Sequence, residues 1–225
     1  MELMGLLALA FGFGLLHALD ADHVLAVTGL SSMKDNSSVK STTFSLRWAL
    51  GHGLSILLIG SLVVFFGMAI PYQFSSLAEE LVGFMLLGIG ILVITDLVRQ
   101  RNTLYMHKHD QWPVHVHLQT SKTFNPLHKH RHGAVMVGLL HGAAGSAPLL
   151  ALLPVTQLDS SVVAMSYLLL FCLGVLLSML VVGGVLGSVC QRLGHISMWL
   201  PTLLRSLVAI LSIGMGLYLI SLGAS

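Results

Sequence analysis

The stretch His17-Ala18-Leu19-Asp20-Ala21-Asp22-His23 interrupts an otherwise apolar run from Leu3 to Leu30. A run of that length crosses a bilayer, which takes about 20 residues of helix. Each ionised Asp at membrane depth costs roughly 2.5–3.5 kcal/mol on insertion scales. Two of them in one helix need compensation, and a bound cation supplies it directly. On a regular helix of about 100° per residue, His17, Asp20 and His23 share an arc of roughly 120°, whereas Asp22 points about 100° away from His23. The spacing therefore calls for a distorted helix or for an Asp22 that acts from another direction. Imidazole with carboxylate suits borderline divalent ions such as Ni(II), Co(II) or Zn(II) and suits Cu(I) poorly. A buried Asp–His pair that only fixes helix packing is the competing reading. Four polar side chains in seven residues exceed what packing calls for.

Outward from this stretch the whole chain is apolar. Of 225 residues, 55% are hydrophobic and only 9% are Asp, Glu, Lys or Arg, against about 25% in soluble domains. Too few charges remain to cover a soluble surface, which excludes a cytosolic enzyme or a nucleic-acid binder. Further spans are expected over Trp48–Ile70, Leu77–Val98, Ala134–Val155, Val162–Val189 and Leu203–Leu222. Glu2 in place of a basic leader, and the polar cluster itself, mark the first span as retained rather than as a secretory signal. With six spans, Lys34, Lys40 and Arg47 fall in the first loop, Arg99, Arg101, Lys108, Lys122, Lys129 and Arg131 in the third, and Arg192 and Arg205 in the fifth. All eleven basic residues then lie on one side, opposite both termini, Glu79, Glu80 and Asp159. The positive-inside rule makes that side cytoplasmic. The expectation is an all-α, six-helix protein of the cytoplasmic (inner) membrane with both termini outside.

The two halves repeat. Gly14-Leu15-Leu16-His17 matches Gly138-Leu139-Leu140-His141 at an offset of 124, and Leu50, Gly51, Leu54, Ser55 and Leu57 match Leu173, Gly174, Leu177, Ser178 and Leu180 at 123. Gly88, Gly90 and Ile94 match Gly214, Gly216 and Ile220 at 126. A repeat of three spans is odd, so the second copy sits upside down, as in transporters whose substrate site lies at the repeat interface. The organisation read from this is a first repeat over 1–98, a cytoplasmic His-rich loop over 99–133, and an inverted repeat over 134–225.

Other residues join the cluster. His52 lies about one turn inside the cytoplasmic end of the second span, at a depth comparable with His23, as a further ligand or as an interfacial residue. His141 occupies the repeat position of His17, but Ala144, Ser146 and Ala147 replace Asp20, Asp22 and His23. The second half is a degenerate copy, with His141 a ligand, a pathway residue or a structural one. Neither the spacing nor the position of Cys172 and Cys190 suggests a disulfide or thiolate site, and Cys172 suits buried packing. His107, His109, His115, His117, His128, His130 and His132 crowd the third loop, mostly as His-x-His, a composition that reads as weak, exchangeable metal binding. The competing reading is a flexible basic loop near anionic lipid.

The form His-x4-Asp-His resembles the signature of the nickel/cobalt transporter (NiCoT) family. The likeness extends to Leu50-Gly51-His52 and to Gly138-Leu139-Leu140-His141-Gly142-Ala143-Ala144-Gly145-Ser146. That last element is closer to the short six-helix relatives, which include membrane proteins associated with urease and other nickel enzymes. The resemblance implies that His17, Asp22, His23 and His52 handle metal, with Asp20 alongside. The chain departs from the longer members, having Thr28-Gly29 where they carry an Asp-Asn pair.

The leading expectation is a secondary transporter of nickel or cobalt, a non-enzyme without a prosthetic group. Its partners would be the ion, the bilayer and cytoplasmic nickel chaperones or a nickel-enzyme maturation system. No phosphate-binding loop is evident, so a membrane potential or proton gradient would drive it. An intramembrane metallohydrolase lacks a His-Glu-x-x-His motif, and carboxylates in the first span disfavour an anion exporter. A metallocentre-assembly protein that holds nickel for a partner enzyme is the alternative.

Overall fold

The first expected span is broken in the computed structural model, which describes residues 3–32, 38–67, 72–101, 104–107, 115–118, 133–144, 154–196 and 199–223. Helix α1 covers Leu3–His17 and α2 covers Ala21–Ser32, with a bend of 52° between them. Two tight turns close α1, Leu19 N–H donating to the Leu16 carbonyl at 2.9 Å and Asp20 N–H to His17 at 3.0 Å. The Asp20 carbonyl then accepts the first bond of α2 from Val24 N–H at 3.1 Å. Asp20 thus stands at the helix-start position that aspartate favours, and Asp22 lies in the first turn, where a carboxylate meets the positive end of the helix dipole. Of the two possibilities left open by the spacing of Asp22 and His23, the structure shows a distorted helix, and the distortion is this break.

The remaining elements are α3 (Ser38–Phe66), α4 (Tyr72–Arg101), strands β1 (Leu104–His107) and β2 (His115–Leu118), α5 (Gly133–Ala143), α6 (Ser161–Ile196) and α7 (Trp199–Gly223). Among the described residues four helices, α3, α4, α6 and α7, are long and apolar enough to cross a membrane, five if the bent pair counts as one span. The fourth expected span is described only as the eleven residues of α5, followed by Ala144 and, further on, Pro154 and Val155. Residues 145–153 lie outside the described residues. The all-α expectation needs one amendment, since β1 and β2 pair antiparallel within the segment read as a loop. Alternation of His and apolar residues at a period of two is itself a strand pattern.

Polarity is reversed relative to a soluble bundle. Leu50, Leu54, Leu58 and Leu62 form an exposed stripe along α3, while Ser45, His52 and Ser55 of the same helix are buried. Such an exterior belongs in lipid, where backbone polar groups are satisfied within each helix. Helix α1 packs on α6, α3 on both α5 and α6, and α4 on α7.

Glycines let these backbones touch. A Cβ on Gly14 would strike the carbonyl of Phe171, and one on Gly138 the carbonyl of Trp48. Reciprocally, Gly51 abuts the carbonyl of Val135 and Gly174 that of Phe11. These contacts interchange under the offsets of 124 and 123 that relate the two halves. The same holds between α4 and α7, where a Cβ on Gly90 would come within 2.8 Å of the Ala209 carbonyl and one on Gly216 within 2.6 Å of that of Gly83, an exchange at offset 126. Repeat-related Leu50 and Leu173 are equally exposed, at 52% each.

Arg205 departs from its expected place in the fifth loop. It lies within α7, and its guanidinium pairs with Asp96 of α4, both side chains largely buried. A rule that sorts charges by nearness to a span end has no access to a partner 109 residues away.

Two tests follow from this packing. Gly14→Ala and Gly138→Ala should each destabilise the protein by about 1–3 kcal/mol through overpacking. Gly12→Ala and Gly88→Ala, at open positions, should leave the thermal midpoint in detergent unchanged or raise it. Asp96→Ala should cost about 3–5 kcal/mol by removing a carboxylate from beside a buried guanidinium, and exchanging the pair as Asp96→Arg with Arg205→Asp should recover part of that loss.

Candidate metal centre

At the break, three elements bring imidazoles together. His17 ends α1, His23 lies in the first turn of α2, and His52 projects from α3, all three almost fully buried. Their ring centroids are 4.5 Å apart for His17 and His23, 5.0 Å for His23 and His52, and 5.5 Å for His17 and His52. One ligand atom from each of the three lies within 4.8 Å of the others. Asp22, His23 and His141 form a second such group that shares His23. His141 reaches the cluster from α5 because Gly138 and Gly142 let that helix lie against the backbone of Trp48 and His52.

Asp22 organises two rings. Its Oδ1 lies 2.9 Å from His23 Nδ1 and accepts the His23 backbone N–H at 3.0 Å, and its Oδ2 lies 3.2 Å from His141 Nε2. An ionised carboxylate only accepts hydrogen bonds. The hydrogens therefore sit on His23 Nδ1 and His141 Nε2, leaving lone pairs on His23 Nε2 and His141 Nδ1. Asp20 Oδ2 stands 2.8 Å from His17 Nδ1, with the Asp20 side chain 41% exposed. Carboxylates that orient imidazoles in this way are the usual outer partners of metal-ligating histidines.

The inward nitrogens are unmet. His17 Nε2, His23 Nε2, both nitrogens of His52 and His141 Nδ1 are buried without a hydrogen-bond partner. A buried polar atom left so costs about 1–3 kcal/mol. A divalent cation would accept several of these lone pairs at once, and Asp20 with Asp22 would balance its two charges. Donors on one ion lie at most about 4.2 Å apart, given bonds of about 2.1 Å. The cluster is thus within a small contraction of a ligating geometry.

Of the residues expected from the sequence, His17, Asp22, His23, His52 and His141 meet in these two groups, and Asp20 stands beside them on His17. In the polar segment, His107, His115 and His117 lie on the two strands. His109, His128, His130 and His132 lie outside the described residues. Two site residues escaped the sequence reading. Trp48, fully buried, stacks on His52 at 5.0 Å and meets His23 and His141 edge-on at 5.1 and 5.4 Å. Phe171 stacks on His17 at 5.7 Å. The available signals were the four-residue spacing of Trp48 and His52 on one helix face, and the repeat offset of 123 from Trp48 to Phe171. Under that offset the counterpart of His52 is Val175, so the second half lacks this donor as well.

The two cysteines do not add to the site. Cys172 approaches the Gly53 carbonyl at 3.6 Å. Cys190 follows on the same helix, roughly 27 Å further along its axis, so the two cannot join in a disulfide.

The fold and the cluster define a multi-pass helical membrane protein with histidines and aspartates gathered inside the bundle. The chain belongs to the family described as the cytochrome c biogenesis protein transmembrane region, whose family model matches residues 9–218. It is similar to the urease accessory protein UreH of Bacillus sp. (strain TB-90), 28% identical over 183 residues that span 80% of this chain and 75% of that protein. The short urease-associated relatives inferred from the motifs are thereby represented. No solved structure matches the chain.

The stacking of Trp48 on His52 makes occupancy visible. Ni(II) added to the purified protein should quench tryptophan fluorescence, and Trp48→Phe should abolish most of that quenching while Trp112 and Trp199 remain.

Proposed function

We propose that this chain is a secondary transporter of a divalent transition-metal ion, nickel or cobalt foremost, in the cytoplasmic membrane. The observation that carries the reading is the set of buried, unpartnered imidazole nitrogens of His17, His23, His52 and His141 around Asp22 at a broken helix. Discontinuous helices near the midplane are a recurrent way to build ion sites in transporters. The ion would dehydrate onto His17, His23 and His52, with Asp22, His141 and Asp20 as further donors or as the carboxylates and ring that orient them.

In this reading the chain has six spans in two inverted repeats of three, the bent α1–α2 pair being the first and α5 opening the fourth. The reciprocal glycine contacts support that arrangement, because an exchange of halves maps each onto another. Segregation of the basic residues supports cytoplasmic first, third and fifth loops and external termini. Alternate exposure of the site would then come from rocking of one repeat against the other. Ligation needs neutral imidazoles and ionised carboxylates. Protons therefore compete with the ion, and a proton gradient is a natural coupling partner.

A second reading has one observation in its favour, the likeness to a protein named for an accessory role to urease. In it the chain holds nickel for a maturation system and moves nothing. Flux of radioactive nickel into proteoliposomes separates the two. Transport predicts gradient-driven uptake that weakens as the medium on the loading side is acidified and that is lost in Asp22→Ala with His23→Ala. Binding without flux would select the assembly reading, and flux that survives the double substitution would overturn the site.

A further inference from the structure

We propose that Ser41, Ser45 and Trp48, along the inner face of α3, line the route by which the divalent ion reaches His52 from the end of the bundle where α3 begins. The inference rests on the cluster being a metal site, and not on whether the ion crosses or is only held. At about 100° per residue, positions 41, 45, 48 and 52 fall within an arc of roughly 60°. All four residues are buried, while Leu50 and Leu54 on the outer face are about half exposed. Ser41 Oγ, Ser45 Oγ, Trp48 Nε1 and both ring nitrogens of His52 have no hydrogen-bond partner. Other serines in these helices bond to the preceding turn, Ser61 donating to the Leu57 carbonyl at 2.6 Å, Ser166 to Val162 at 2.8 Å and Ser188 to Gly184 at 2.8 Å. That bond is the local outlet open to a serine inside a helix, and Ser41 and Ser45 do not take it. Residues four apart on a helix face have Cβ atoms about 5–6 Å apart, a gap that one water bridges between two hydroxyls. The unmet polar atoms therefore form steps from the start of α3 to the cluster, over about 16 Å of helix axis. Hydroxyls and water suit an ion that is still partly hydrated, and the imidazoles would take it as it sheds that water.

The second half has the same stripe without the polarity. Under the offset of 123, the counterparts are Ala164, Leu168, Phe171 and Val175 of α6, all four buried. Tyr167, beside that stripe, offers one buried, unmet hydroxyl, where α3 offers two hydroxyls and an indole N–H in a row. Contacts of Ser45 with Gly183, Gly53 with Cys172 and Ser61 with Met165 show that α3 and α6 run antiparallel. The two stripes thus leave the cluster toward opposite ends, one lined by polar groups and the other almost wholly by hydrocarbon. The Ser45 hydroxyl stands in the seam between α3 and α6, since a Cβ on Gly183 would lie 2.2 Å from its Oγ. In the reading above these helices belong to different repeats, so the seam is one that rocking would open.

The test follows association and release of radioactive Ni(II) by rapid filtration, on the full-length chain without a polyhistidine tag in lipid nanodiscs. Ser45→Leu fills the seam and should slow both association and release by about tenfold or more. The equilibrium Kd should stay unchanged, because a blocked route raises a barrier and leaves the site alone. Ser41→Ala with Ser45→Ala removes the hydroxyls without filling the seam, covers the case that Ser45→Leu folds poorly, and should also slow both rates alike. Ser55→Val, on the far side of His52, should alter neither rate. In a Cys172→Ala, Cys190→Ala background, Ser45→Cys should react with aminoethyl methanethiosulfonate about tenfold faster than Leu168→Cys. Unchanged rates in both serine variants, a weakened Kd without slower release, slowing by Ser55→Val, or equal labelling of the two cysteines would each overturn the route. A chain that binds no Ni(II) would sink the metal reading instead, and the labelling alone would then decide whether the stripe is a hydrophilic route.

Discussion

A polar atom inside a bilayer has no water to turn to, and this constraint shapes the chain around residues 17–23. Asp20 and Asp22 sit where α2 begins, against the free N–H groups and positive dipole of a helix start. Their carboxylates in turn lie against His17, His23 and His141. The two Asp22 contacts use up His23 Nδ1 and His141 Nε2 and leave the opposite nitrogen of each ring without a partner. The break in the helix, the orientation of the rings and the unmet lone pairs are consequences of one problem, the placement of two carboxylates at membrane depth.

The imidazoles converge only because the helices that carry them pack with their backbones in contact. Gly138 and Gly142 bracket His141 and admit α3 to touching distance, and Gly14 does the same for His17 against α6. Trp48 and Phe171 then wall the cluster, each stacked on a histidine. Close packing of small residues and burial of the site are thus one arrangement. The two halves share the packing but not the chemistry: Val175 stands where a second His52 would be, and Ala144 where a second Asp20 would be. Equivalent glycine contacts with unequal side chains leave the second half without a matching set of donors.

Much of the site was legible in the sequence, because four polar residues in seven within an apolar run have no cheap alternative. His52 was legible through its motif, and His141 through the repeat. Trp48 and Phe171 were not, since an aromatic residue in an apolar span reads the same whether it faces lipid or a ring. The place of Arg205 was misread for a related reason, its partner Asp96 being far away in the chain. The ribbon in the polar segment was hidden by composition, as an alternation of histidine with apolar residues attracted a chemical reading and masked a structural one.

The sequence by itself determined the membrane class, the residue types of the polar cluster, and the choice near Asp22 between a distorted helix and a carboxylate acting from another direction. These follow from local costs, of charge in lipid and of angular spacing along a helix, that need no knowledge of neighbours. Only the tertiary structure decided that the distortion is a break, that Asp22 serves both His23 and His141, and that α5 delivers His141 beside His52. Apolar helices of similar composition have no local preference among partners. The choice is made where a missing side chain lets one backbone rest on another.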